Sequence, residues 1–203
     1  MKTLLKQGLR NLARVLFRIK ITGDSSVLAR QQRLLIIANH ESFLDGLLLG
    51  LFLPVDALFV VHTGVARNPL LRLVLSLVDY LAVDPTNPMA MKKVLRVVES
   101  GRPVVIFPEG RLTTTGSLMK VYDGPAFIAA RSGATLAPVR LDGAARSYFS
   151  RVSGRSPRRL LPRVSLHFLP TTHLPMPEAP TAKARRRLAV GSPASSCAAS
   201  CKR

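Results

Sequence analysis

The chain opens with Leu5, Leu9, Leu12, Leu16 and Ile19 in steps of four and three, while Lys2, Lys6, Arg10, Arg14 and Arg18 recur every fourth residue beside them. That periodicity predicts a basic amphipathic helix over 3–19. Short apolar runs then alternate with helical patterns. Strands are predicted at 33–38, 57–61, 79–83, 103–107, 135–140 and 163–169, and further helices at 43–52, 69–78, 88–100 and 124–132. Asn87 and Pro88 read as a helix cap and first-turn proline, and Gly101 and Gly133 as helix stops. Such alternation implies an α/β fold, a mostly parallel sheet covered by helices. The longest apolar stretch, Phe43 to Val61, is broken by Asp45, Pro54 and Asp56, so no transmembrane segment is expected.

Two polar clusters interrupt this pattern where strands end. The first is NHESFLDG, residues 39–46, directly after the run Leu34 to Ala38. It puts His40 and Asp45 at a strand-to-helix junction, where open α/β sheets build their sites. Five helical residues turn through roughly 500°, about 140° off one face, so the two side chains meet only if His40 precedes the helix and Asp45 lies in its first turns. An ionised Asp45 accepting from one ring nitrogen would make the other a better base. The plainer meaning is a helix cap at His40 and an acid complementing the helix N-terminus. Ser42 either positions a ligand beside the base or caps the helix.

The second cluster is PVVIFPEGR, residues 103–111, whose strand should end at the same sheet edge as His40. Glu109 and Arg111 flank Gly110, and a guanidinium is suited to grip a phosphate through two parallel hydrogen bonds. A simple Glu–Arg surface pair is the alternative. The hydroxyl-rich 113–117 reads as a turn.

Together these residues resemble the glycerolipid acyltransferase family, the PlsC-like lysophospholipid acyltransferases, marked by His, four residues, Asp, and downstream FPEG. The resemblance covers about residues 10 to 187. NHESFLDGLLLGLFLPV, DPTNPMAM and the stretch from Gly101 to Arg140 look closest to the acyltransferase domain of the bifunctional 2-acylglycerophosphoethanolamine acyltransferase/acyl-acyl-carrier-protein synthetase of Gram-negative bacteria. The family implies acyl transfer from an acyl-carrier-protein or coenzyme A thioester to the free hydroxyl of a lysophospholipid, without cofactor or metal. On this chain His40 becomes the base, Asp45 its partner, and Glu109, Gly110 and Arg111 the acceptor site. Lys120 matches a family lysine near the acceptor phosphate. The implied location is peripheral, at the cytoplasmic face of the bacterial inner membrane.

Two departures stand out. Family members acting on lysophosphatidic acid commonly carry an Arg at the end of a strand between the two motifs, whereas Val78 to Asp84 here supplies only acids. That favours a zwitterionic acceptor, 2-acylglycerophosphoethanolamine, with lysophosphatidic acid as the alternative. After Arg187 the chain runs into GSPASSCAASCKR, a tail over 191–203 that reads as disordered and aberrant, a truncation or frameshift scar. A third expectation follows from it, a non-catalytic membrane-binding remnant. Cys197 and Cys201, the only cysteines, lie in that tail and build no disulfide framework or metal site.

At 203 residues the chain accommodates one domain, divided here into a membrane-surface helix over 1–20, an acyltransferase domain over 21–190 and the tail. A net charge of +19 calls for an anionic partner. With 5% aromatic residues and no nucleic-acid motif, an anionic membrane fits better than DNA or RNA. The first helix could lie in the headgroup plane or pack on its own domain, and its stripe fits either.

Overall fold

Every residue of the run Leu34–Ala38 is buried, as a strand between parallel neighbours under helices on both faces must be. It forms the middle of an eight-stranded sheet in a computed structural model that describes residues 2–67, 75–84, 87–110, 112, 122–152 and 157–175. In chain order the elements are α1 (Lys2–Leu16), β1 (Lys20–Thr22), β2 (Leu34–Ala38), α2 (Phe43–Phe52), β3 (Leu58–His62), α3 (Thr63–Arg67) and β4 (Asp79–Val83). They continue with α4 (Pro88–Glu99), β5 (Val104–Ile106), α5 (Gly124–Ser132), β6 (Thr135–Asp142), β7 (Ser165–Phe168) and β8 (Thr172–His173). The strand order is β1-β7-β6-β2-β5-β3-β4, with β8 also paired to β6. The strands β6, β2, β5, β3 and β4 are mutually parallel, and β7 runs antiparallel to β6.

Residues alternate between two cores, as the pleat requires. Leu34, Ile36 and Ala38 pack with Leu48, Leu49 and Phe52 of α2, while Leu35 and Ile37 pack with Val94 and Val98 of α4 and Ile128 and Ala129 of α5. The adjacent strands β2 and β5 are thus followed by helices on opposite faces. Their parallel pairing, Ile37 opposite Ile106, brings both C-terminal ends to one edge. Open α/β sheets form their crevice at this kind of junction.

The α/β class and most elements agree with the expectations from sequence. Asn87 caps α4 by accepting from Met89 N at 2.9 Å, and Gly133 ends α5 at φ 64°. The predicted helix at 69–78 lies mostly outside the described residues, as does the whole tail 191–203. Three elements have no counterpart in the sequence pattern: β1, α3 and β8, of three, five and two residues. None is long enough to span two full periods of its pattern.

The first helix departs from its expected stripe. Leu9 and Ala13 pack toward the core, with Phe17 and Ile19 just beyond the helix, but Leu5 and Leu12 remain 57% and 53% exposed, beside exposed Leu4 and Val15. The cause is on the flank: the Arg10 and Arg14 guanidinium carbons lie 5.4 and 5.8 Å from the centre of the Phe52 ring, and Lys6 pairs with Asp56 at 3.7 Å. Cations over an aromatic face rotate the helix away from a purely apolar contact. The helix closes through Arg18 at φ 44°, with Ile19 N donating to Arg14 O at 3.1 Å and Arg18 N to Val15 O at 3.3 Å. Among the described residues no helix is long and apolar enough to cross a membrane.

Candidate active site

The two motifs meet where β2 and β5 end. Asp45 is the third residue of α2, and its side chain is 1% exposed. Its Oδ2 accepts from Glu41 N at 2.7 Å, from Ser42 N at 2.8 Å and from His40 Nδ1 at 3.2 Å. An ionised carboxylate only accepts, so Nδ1 carries the ring proton and Nε2 is left as the basic nitrogen. The contact with Ser42 N completes a capping box, in which Ser42 Oγ accepts from Leu44 N at 3.2 Å. The cap residue is therefore Ser42 and not His40, while Asp45 both completes the cap and hydrogen-bonds the imidazole.

The ring is also held from the side. His40 stacks on Phe107 with ring centres 4.0 Å apart and 19° between planes. Its backbone N donates to Glu109 Oε1 at 3.2 Å. Glu109 is buried and braces the backbone of His40 from the neighbouring strand end. Gly110 follows at φ 67°, closing a turn through Gly110 N to Phe107 O at 3.0 Å. A Cβ there would also lie 3.2 Å from the Tyr122 ring, so glycine suits the position on both counts. Arg111 and Lys120 lie outside the described residues.

Ser42, a candidate for positioning a ligand, is fully buried, and its hydroxyl is shared between the cap and Ser147 Oγ at 2.9 Å. Further residues stabilise the junction without any signal in the local motif. Asn39 bonds the backbone of β6 twice, to Leu141 O and from Leu141 N, both at 2.8 Å. Ser150 Oγ donates to Glu41 O at 2.6 Å. These contacts join positions more than a hundred residues apart, beyond the reach of any periodicity. Phe107 sits inside the second motif, and its apolar ring was legible as strand but not as a stacking partner.

Glu41 carries the clearest electrostatic strain. Burial, followed by the carboxylates of Asp45, Asp142 and Glu109, pushes its pKa up from 4.5 to about 7, with Arg140 opposing. Among the described residues no three His, Cys, Asp or Glu side chains converge as metal donors would.

The sequence model of the family described as Acyltransferase matches residues 18–142, which include both motifs. The chain belongs to that acyltransferase family. Its matched relatives include the 1-acyl-sn-glycerol-3-phosphate acyltransferase of Limnanthes douglasii, 29% identical over 130 residues, 62% of this chain and 45% of that protein. The chloroplastic 1-acyl-sn-glycerol-3-phosphate acyltransferase of Arabidopsis thaliana is 26% identical over 131 residues, 63% of this chain and 36% of that protein. The chain spans less than half the length of these relatives. The crystal structure of the 1-acyl-sn-glycerophosphate acyltransferase PlsC from Thermotoga maritima superposes with a TM-score of 0.69 at 15% identity, covering 99% of this chain and 80% of that one. This likeness establishes the acyltransferase's fold. The PlsC-like family expected from the motifs is borne out. The resemblance to the bifunctional 2-acylglycerophosphoethanolamine branch gains no support, because these relatives carry the lysophosphatidic acid name.

Two outcomes follow from this geometry. Replacing Asp45 with Asn should destabilise the fold by about 1–2 kcal/mol, the usual worth of a cap, whereas His40→Ala should leave unfolding nearly unchanged; urea titration of both variants checks the contrast. For Glu41, the folded chain holds a proton between pH 4.5 and about 7 that the unfolded chain releases, so stability falls as pH rises through that window. Glu41→Gln should therefore raise stability by about 1–3 kcal/mol at pH 8 and leave it unchanged at pH 4, where both forms are neutral. An equal effect at the two pH values would show that charge burial is not the cause.

Proposed function

We propose that the protein transfers a fatty acyl group from a thioester donor to the free hydroxyl of 1-acyl-sn-glycerol-3-phosphate. The observation that carries this reading is the His40 to Asp45 hydrogen bond lying within the family-matched segment. The choice of acceptor is supported by the names of the matched relatives. His40 Nε2 takes the proton as the acceptor hydroxyl attacks the acyl carbonyl, and Asp45 stabilises the imidazolium that forms. The oxygen–carbon bond forms, the carbon–sulfur bond breaks, and the proton passes from His40 to the departing thiolate. Acyl-carrier protein or coenzyme A would carry that thiol. Arg111, with Lys120, grips the acceptor phosphate, and Glu109 keeps the base in place, so that attack becomes effectively intramolecular.

One observation favours a second acceptor, lysophosphatidylethanolamine. The stretch Val78 to Asp84, which contains β4, ends in Asp84 and carries no cation, while its other acid, Asp79, begins the strand and is paired with Arg102. A phosphodiester with less negative charge tolerates that surrounding better than a phosphomonoester.

The deciding experiment is competition between the two lysophospholipids at a fixed labelled thioester. Lysophosphatidic acid should be consumed faster, while preference for lysophosphatidylethanolamine restores the second reading. Absence of transfer to either acceptor identifies a non-catalytic membrane-binding remnant. His40→Ala should lower turnover roughly 10²–10⁴-fold, the range of a general base. Arg111→Ala should damage use of the acceptor, and Arg111→Lys should recover part of the loss, having the charge without the fork.

We also assign the protein a peripheral seat on an anionic membrane, at the cytoplasmic face of the bacterial inner membrane. Exposed Leu4, Leu5, Leu12 and Val15 beside the basic residues of α1 support it. Binding to vesicles containing phosphatidylglycerol should weaken as salt is added, because exposed charges are screened. Leu5→Ser combined with Leu12→Ser should weaken it further at any salt concentration. Equal affinity for neutral vesicles would count against this seat.

A further inference from the structure

The excursion between β6 and β7 is built inside out. From Gly143 to Arg163 it holds six arginines and no acid. Its small residues Ser147 and Ser150 are buried, whereas Tyr148, Phe149, Leu160 and Leu161 are 60%, 49%, 66% and 44% exposed. A segment folding for its own core would reverse that choice. Arg146, Arg151, Arg158, Arg159 and Arg163 are exposed around them, and none has an ion-pair partner among the described residues.

The excursion is nonetheless firmly attached. Its two halves are joined by Arg159 N donating to Arg146 O at 2.8 Å. At its base Gly143 sits at φ 91°, and a Cβ there would come within 2.1 Å of Arg163 O. On the inner side it is bolted to the segment that follows the base. Phe43 N donates to Phe149 O at 3.3 Å, Ser150 Oγ to Glu41 O at 2.6 Å, and the Arg151 guanidinium carbon lies 5.7 Å from the centre of the Phe43 ring.

We propose that this excursion is a second membrane-contacting surface, separate from α1, which seats in the headgroup layer of an anionic bilayer and sets the depth at which His40 meets the acceptor. The arginines pair with lipid phosphates while the aromatic and leucine side chains enter the glycerol and upper acyl region. An acidic protein would answer the charges. The four large apolar groups standing out among them are better matched by a bilayer, which offers anions and hydrocarbon within one side-chain length. The consequence for catalysis rests on the acceptor being a membrane lipid, as proposed above.

The test uses the full chain and two variant sets, Y148S/L160S/L161S and R158Q/R159Q/R163Q. Partition into phosphatidylcholine vesicles with and without phosphatidylglycerol is measured without substrate. Acyl transfer is measured with the acceptor in vesicles and dispersed in detergent. Both sets should lower partition into anionic vesicles, the arginine set by roughly a hundredfold. Transfer in vesicles should fall in parallel, and transfer in detergent should stay at the wild-type rate. Unchanged partition in both sets overturns the proposal. So does unchanged partition with a raised KM for an acyl-carrier-protein donor in the arginine set, which would assign the surface to an acidic protein. If the wild-type chain transfers no acyl group in detergent, the functional reading fails while partition still decides the surface.

Discussion

One oxygen of Asp45 ties together the end of β2, the start of α2 and the imidazole between them. Oδ2 takes three donors, two of them backbone N–H groups, those of the N-cap Ser42 and of Glu41 just before it. The charge is fully buried, and Oδ1 has no partner among the described residues. Such a carboxylate is tolerable because the amides and the positive helix end surround it. The imidazole of His40 and the helix cap are therefore one structural unit. A change that frees the helix end also frees the ring.

The same unit explains the location of the site. Strands β2 and β5 run side by side, but their following helices leave on opposite faces, opening a crevice at their shared end. Asp45 holds the imidazole from the α2 side, and Glu109 and Phe107 hold it from the β5 side. Asn39 then locks the turn to β6. His40 is thus fixed by three adjacent strand ends.

Charge is distributed in opposite senses over different ranges. The chain carries a net charge of +19, yet burial, reinforced by the nearby carboxylates of Asp45, Asp142 and Glu109, raises the pKa of Glu41, the residue after His40, to about 7. Over longer distances the excess of lysine and arginine dominates. Close to the base, carboxylates hold backbone and ring in place. These roles are separable because the acids are buried or half-buried, where water screens them poorly, and the described arginines of the β6–β7 excursion stand in solvent.

The sequence by itself determined what depends on neighbours a few residues away. Short apolar runs located β2 and β4, helical patterns located α2, α4 and α5, and local signals at Asn87 and Gly133 marked the start of α4 and the end of α5. The five-residue offset of His40 and Asp45 required the ring to stand before the helix, because no regular helix lets them meet. Tertiary structure decided what depends on distant residues. It put Glu109 behind the backbone of His40, consumed Ser42 in a cap shared with Ser147, and stacked His40 on Phe107. It also turned α1 so that its arginines cover Phe52 and part of its leucine stripe stays exposed. Periodicity identifies which face of an element is apolar, but the partner that face meets is set by sheet order, and sheet order is a property of the whole chain.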